Sequence, residues 1–171
     1  MKVDFVVPRY GPVGGAENAV SALAKRVAKH NGWEVHLHAT CAKSSNTWAN
    51  EQEPGSKQVE ALWVHQHLVD SGRTTEWSEL DRRVQEGPSS IDATTQDLFF
   101  HHQGPVSNAM AHAVSTSSAD LVIFAPYLFW PTIFFDPPRF GFFEKKIFLK
   151  NILKIFSKLF SKYFRNILKI F

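Results

Sequence analysis

The chain has 171 residues, enough for one domain with an apolar core but too few for two large domains. Its formal net charge of +3 is unevenly distributed. Residues 138–171 contain nine Lys and Arg against one acid, whereas residues 1–137 contain ten against fifteen acids. Because the basic excess belongs to the end of the chain, the composition argues against a nucleic-acid-binding protein.

Cys41 is the single cysteine, which excludes an internal disulfide framework and a thiolate cluster. A reducing compartment is the simplest inference, so we expect a cytoplasmic protein. The opening residues, MKVDFVVPRYG, contain an apolar run that is too short for a signal peptide. No run approaches the ~18 apolar residues that a membrane span requires.

The predicted elements of the first half begin with an apolar strand and an amphipathic helix. In chain order they are a strand at Val3–Val7 ended by Pro8, a helix at Ala16–Lys29, a strand at Glu34–Ala39, a loop over 41–57 and a strand at Val59–His67. The loop is rich in Ser, Asn and Gly. We expect Trp48 to be exposed in it, in a solvated loop, with contact to an acceptor molecule as the alternative.

The second half is predicted to be mainly helical and to end in a buried strand. The predicted elements are helices at Trp77–Val84, Asp92–His102 and Val106–Ser115 and a strand at Leu121–Ala125. The continuously apolar last strand is typical of a parallel sheet covered on both faces. The order predicts an α/β fold, a partial Rossmann-like parallel sheet with flanking helices over residues 1–134, followed by a basic amphipathic C-terminal helix.

The stretch VVPRYGPVGGAENAV, residues 6–20, places a glycine-rich turn between a strand and a helix. Such a turn can direct backbone amides at an anion, and the helix dipole adds positive potential. A tight turn without a ligand is the alternative. The glycines follow neither the dinucleotide pattern G-x-G-x-x-G nor the Walker pattern, so both common nucleotide motifs are excluded.

The stretch PRYGPVGGAE resembles the N-terminal, acceptor-side domain of retaining glycosyltransferases of the GT-B fold, family four. The later stretch ADLVIFAPYLFWPTI is similar to the fourth strand and following helix of that domain. The resemblance covers residues 1–134, and its most specific part is the turn Gly14-Gly15-Ala16-Glu17.

The resemblance implies that Gly14 and Gly15 lie against the diphosphate of a nucleotide-sugar donor. Glu17, Tyr127 and Trp130 are weaker candidates for substrate binding, and Glu17 has the alternative role of a first-turn acid favoured by the helix dipole. It implies transfer of a sugar to an acceptor without a metal or a cofactor beyond the donor itself. The family's second, nucleotide-binding domain is not recognised in this sequence, so we expect a truncated glycosyltransferase fragment that is inactive alone.

Two pairs of histidines occur at a spacing of two residues on predicted strands. They are His36 with His38 and His65 with His67. Residues two apart on a strand share a face, so four imidazoles could form a metal site if the strands were neighbours in register. Ordinary strand histidines are the preferred interpretation, and we expect no metal.

Residues 138–171 are predicted to form a second, helical segment with basic and apolar faces. Its sequence is repetitive, because NILKIF occurs at residues 151–156 and again at 166–171. The alternative function is therefore a membrane-surface-binding protein, peripheral at an anionic membrane through residues 145–171. Packing of this helix on the domain and an out-of-frame origin of the segment, beginning near 134–138, are the other interpretations.

Overall fold

A computed structural model describes residues 1–86 and 92–125 of the chain. Within these ranges the protein has five strands and four helices. In chain order they are β1 Lys2–Arg9, α1 Gly15–Asn31, β2 Glu34–Thr40, β3 Gly55–Val59, β4 Leu62–His67, α2 Trp77–Glu86, α3 Ala93–Gln103, α4 Asn108–Ser115 and β5 Leu121–Phe124. The predicted C-terminal helix and the predicted boundary at 134–138 lie outside the described residues.

The strands form one five-stranded sheet in the order β3-β4-β2-β1-β5. Strand β1 pairs in parallel with both β2 and β5, and β4 pairs in parallel with β2. Only β3, at the edge, is antiparallel to its neighbour β4. The fold is therefore α/β with a mostly parallel, Rossmann-like sheet, and the predicted fold class is confirmed.

Apolar residues cover the sheet on both faces, because successive strand residues point to opposite sides. One face packs against α1 through a cluster that contains Val3, Phe5, Val7, Ala24, Ala28, Val35, Leu37, Ala39, Leu62 and Val64. The other face packs against α4 beside β1 and β5, through Val6, Val106, Met110, Ala111, Val114, Ala119 and Val122. Helices α1 and α4 thus lie on opposite faces of the sheet.

Strand β1 continues through Pro8 to Arg9, so the predicted end of this strand at Pro8 is wrong. The pairing of β1 with β2 is irregular between Val6 and Arg9. Such an irregularity tolerates a proline, which has no N–H to donate to the neighbouring strand. The longer strand carries the side chain of Arg9 to the edge of the sheet where α1 begins.

The single predicted strand Val59–His67 is a β-hairpin, and the prediction of a loop over all of residues 41–57 is wrong at its end. Strand β3 begins at Gly55, and a two-residue turn then leads into β4. The turn residue Glu60 has a φ of 57°, which is unusual for a residue other than glycine. Its carboxylate pairs with Lys25 and Lys29 of α1, and these ion pairs anchor the turn.

Trp48 is 1% exposed, so its predicted exposure is wrong. The indole Nε1 donates a hydrogen bond to the carbonyl of Gln103 at 2.8 Å. Gly104 and Gly72 lie against the ring and its Cβ atom, where a side chain would collide with the tryptophan or with neighbouring backbone. The loop after β2 is therefore packed on the end of α3 by a buried aromatic residue.

The three predicted helices of the second half are confirmed, and two of them begin at side-chain caps. Asp92 accepts a hydrogen bond from the amide of Thr95 at 2.7 Å, before α3. Ser107 accepts one from the amide of Met110 at 3.2 Å, so α4 begins after Ser107 rather than at the predicted Val106. None of the helices in the described ranges combines the length and the apolar character that crossing a membrane would need.

Candidate functional site

The glycine-rich turn lies at the carboxyl end of β1, the strand that separates the two halves of the sheet. After β1 the chain passes through α1 to β2 on one side, whereas β5 pairs with the other side of β1. The strand order therefore reverses at β1. Ligands of open α/β sheets bind in the crevice at such a reversal, outside the carboxyl ends of the strands.

The two glycines of the turn have different surroundings. A Cβ atom at Gly14 would lie 2.6 Å from Oε2 of Glu17 and 3.2 Å from Nη2 of Arg9. A Cβ atom at Gly15 would have no neighbour within 4 Å. Internal packing therefore accounts for a glycine at position 14, whereas position 15 faces open space at the first residue of α1.

The beginning of α1 has no side-chain cap, since its N-cap residue is Gly14. The amides of the first turn of an α-helix have no carbonyl partner within the helix. The helix dipole adds positive potential at the same place. An anion that approaches over Gly15 would therefore meet backbone donors without a side chain in the way.

Arg9 and Glu17 form an ion pair behind the turn, with side chains that are 13% and 6% exposed. Nε and Nη2 of Arg9 donate to Oε1 of Glu17 at 2.8 and 2.6 Å. Nη1 donates to the carbonyl of Lys43 at 2.9 Å, which ties the turn to the loop after β2. Glu17, a predicted substrate-binding candidate, thus forms an internal ion pair with Arg9. No motif in the sequence indicated a role for Arg9.

A pocket of about 470 Å³ lies between the loops that follow β1 and β2. It is lined by Tyr10, Gly11, Pro12, Val13, Lys43, Ser44, Glu51 and Gln52. Oε2 of Glu51 accepts hydrogen bonds from the amides of Lys43 and Ser44 at 2.8 and 2.9 Å. The pocket therefore combines an aromatic residue and apolar residues with an anchored carboxylate and an amide side chain.

The two histidine pairs are neighbours on the sheet, because β2 and β4 are adjacent and His38 is opposite His65. The rings of His36 and His65 are 5.0 Å apart, those of His38 and His65 are 4.8 Å apart, and those of His38 and His67 are 5.4 Å apart. All three pairs are stacked. A shared histidine site requires that the two strands be neighbours in register, and β2 and β4 meet this condition.

Of the other predicted site residues, Tyr127 and Trp130 lie outside the described residues. Residues 145–171, the predicted membrane-binding segment, lie outside them as well.

Comparison with known proteins gives no match: no family model, no curated protein sequence and no solved structure matches the chain. The glycosyltransferase family thus stays a prediction from the sequence motif.

Burial controls the protonation of His65 and His67. Burial first, and the proximity of His38 second, lower the pKa of His65 and that of His67 to about 4. Burial opposes ionisation of Asp4, but favourable interactions with His38 and Ser117 outweigh it and hold the pKa of Asp4 below its ordinary value. At neutral pH His65 and His67 are therefore neutral imidazoles, near the buried carboxylate of Asp4.

Proposed function

We propose that this α/β domain is the acceptor-side domain of a GT-B glycosyltransferase. In this proposal, the diphosphate of a nucleotide-sugar donor lies over Gly14 and Gly15, and the acceptor enters the adjacent pocket. The observation that carries the proposal is the open position of Gly15 at the start of α1, beside the point where the strand order reverses. The motif PRYGPVGGAE supports the family assignment.

The chemistry of a diphosphate suits this edge of the sheet. Its oxygens carry negative charge and accept hydrogen bonds, and the first turn of α1 offers amides and the positive end of the helix dipole. Arg9 is engaged within the fold, because Nε, Nη1 and Nη2 each donate a hydrogen bond to Glu17 or to the carbonyl of Lys43. The positive charge of Arg9 instead balances the carboxylate of Glu17, which lies against Gly14.

The pocket suits a hydroxylated acceptor better than a second anion. The carboxylate of Glu51 can accept hydrogen bonds from hydroxyl groups, and Gln52 can both donate and accept. The amides of Lys43 and Ser44 already donate hydrogen bonds to Glu51, so they do not form an additional phosphate site. Tyr10 and Pro12 provide the apolar surface on which the carbon face of a sugar can lie.

In this family a second domain holds the nucleoside of the donor. We therefore propose that the residues described here contact the diphosphate and the acceptor, and that they are not sufficient for sugar transfer. Binding of the diphosphate is accordingly the property to measure, rather than turnover.

The decisive variant is Gly15→Val, because a side chain at this position has room in the fold but would cover the first-turn amides. The matched control is Ala19→Val, an exposed substitution one turn further along α1. Titration of the full chain with uridine, guanosine and adenosine diphosphates and with inorganic pyrophosphate, followed by amide NMR shifts, measures affinity. We expect Gly15→Val to weaken diphosphate binding about tenfold or more and Ala19→Val to leave it within about twofold.

Failure of the unmodified chain to bind any of these diphosphates would refute the proposal. The placement of the diphosphate over the turn would be refuted if Gly15→Val left the affinity unchanged. It would also be refuted if the amide NMR shifts changed only at residues other than 14–18.

A further inference from the structure

A second polar cluster lies on the sheet face that α4 partly covers, away from the glycine turn. It consists of Asp4 from β1, His36 and His38 from β2, and His65 and His67 from β4. We propose that His38 and His67 bind a divalent transition-metal ion between their rings. Zinc, cobalt(II) and copper(II) are the suitable ions, because imidazole is a preferred ligand for this class.

The distance between the two facing nitrogens fits a shared ion. Nδ1 of His38 and Nε2 of His67 share a hydrogen bond at 3.2 Å, so an ion bound between them would replace the shared proton. Two nitrogens bound to one tetrahedral zinc at about 2.0–2.1 Å are separated by roughly 3.4 Å. A ring adjustment of a few tenths of an ångström, which the partly exposed His67 can make, therefore brings both nitrogens into coordination.

The remaining nitrogen of His38 faces a carboxylate that lacks a hydrogen-bond donor. Asp4 has a side chain that is 1% exposed, and its Oδ2 lies 3.6 Å from Nε2 of His38. Within the described parts of the chain neither carboxylate oxygen has a partner at hydrogen-bond distance, so the buried charge depends on the more distant His38 and Ser117. A metal on Nδ1 would fix the proton on Nε2, aimed at Asp4, in the carboxylate–histidine–metal arrangement common at protein metal sites.

The buried negative charge of Asp4, beside His38, adds attraction for a cation at this pair.

The pair His36–His65 has a shorter mutual hydrogen bond and a further bond at each outer nitrogen, and it serves as an internal comparison. Nδ1 of His36 lies 2.7 Å from Nε2 of His65, which is too short for two ligands of one ion. The outer nitrogens are bonded to Glu34 at 2.8 Å and to Ser56 at 2.7 Å. Among the described residues no three His, Cys, Asp or Glu side chains are arranged to hold a metal ion together, so water completes the coordination of the proposed ion.

The test uses the full chain, titrated calorimetrically with zinc chloride at neutral pH, together with the electron paramagnetic resonance spectrum of bound copper(II). We expect affinity on the order of micromolar, as for a site with few protein ligands, and nitrogen hyperfine structure in the copper spectrum. His67→Gln should weaken zinc binding about tenfold or more, whereas His36→Gln should change it less than about threefold. The control His112→Gln removes an exposed histidine from α4 and should have no effect.

Circular dichroism of each variant separates loss of the site from loss of the fold. Absence of zinc binding by the folded, unmodified chain would overturn the proposal. Equal losses for His67→Gln and His36→Gln, or for His67→Gln and His112→Gln, would overturn the assignment of the ion to the pair His38–His67.

Discussion

The guanidinium of Arg9 and the carboxylate of Glu17 join the last residue of β1 to the first turn of α1 across the glycine turn. Both side chains are largely shielded from water, and two nitrogens of Arg9 share one oxygen of Glu17 at 2.6 and 2.8 Å. The carbonyl of Lys43 receives the third bond from Arg9. Three segments that frame the candidate site are therefore held by one cation.

Removal of Arg9 alone should destabilise the protein more than removal of both partners. Arg9→Met leaves the shielded carboxylate of Glu17 without a counter-charge, and we expect a loss of about 3 kcal/mol in the free energy of unfolding. The double variant Arg9→Met/Glu17→Leu leaves no unpaired charge and should lose less. Urea denaturation of the two variants measures the difference. A double variant as unstable as Arg9→Met would show that the buried charge is not the cause.

Acid should destabilise the domain through the histidine cluster. The pKa of His65 and that of His67 are about 4 in the folded protein, against an ordinary value of 6.5. Between pH 6.5 and about pH 4 the unfolded chain therefore binds protons at these two rings that the folded protein does not bind. The free energy of unfolding is thus highest above pH 6.5 and decreases as the pH falls to about 4. We expect a loss of about 2 kcal/mol for the two rings together, since their partial exposure reduces the cost of burying a charge.

Chemical denaturation at a series of pH values between 4 and 7.5 measures this dependence, at about half-unit steps. In the variant His65→Gln/His67→Gln the slope between pH 6.5 and 4 should become shallower than in the unmodified chain. An unchanged slope would assign the acid sensitivity to other groups.

Gly72 should tolerate no side chain, although its conformation is not of the left-handed kind. A Cβ atom there would collide with the backbone carbonyl of Thr47 and touch Cβ of Trp48 at 3.5 Å. Gly72→Ala should therefore cost about 2 kcal/mol or more in the free energy of unfolding, by overpacking the Trp48 site. Gly15→Ala, which meets open space, is the control and should be close to neutral. Tryptophan fluorescence during denaturation measures the free energy of unfolding of both variants. Similar stabilities of Gly72→Ala and Gly15→Ala would contradict the packing argument.

The basic segment at the end of the chain gives a prediction that depends on its sequence alone. A peptide of residues 145–171 should be helical on anionic vesicles, because its apolar side chains can enter the lipid while each basic residue near the surface contributes roughly 1 kcal/mol. Binding should weaken on neutral vesicles and at high salt. Circular dichroism and vesicle co-sedimentation over a salt series measure it, and equal binding to neutral and anionic vesicles would show that charge does not direct the contact.

The parallel part of the fold could be predicted from the sequence, because β1 and β5 carry apolar runs and α1 carries an apolar stripe ended by Gly32. The β3–β4 hairpin could not. Its turn is Glu60-Ala61 rather than a glycine-containing pair, and its left-handed residue is held by lysines of α1 that only the folded chain brings near. Trp48 was likewise mispredicted because its neighbours Gly72 and Gly104 are distant in the sequence.

Some residues of the candidate sites could likewise be predicted from the sequence, and others could not. The glycine turn and the paired histidines could be selected from spacing, which is a local property. Arg9 and Asp4 could not, since each acts through a partner that depends on the fold: Glu17 lies in the first turn of α1, and His38 lies on the neighbouring strand. The only signal in the sequence was a single charged residue in an apolar strand, and such a residue does not indicate which residue it pairs with.

The edge strand β3 bears on how the protein behaves at high concentration. An unpaired strand edge can recruit a strand from another molecule and start aggregation. Strand β3 is five residues long, and its first four residues, Gly55, Ser56, Lys57 and Gln58, are exposed. A recruited strand would gain little apolar contact there and would meet the charge of Lys57. This margin of the sheet is thus a poor template for fibril growth.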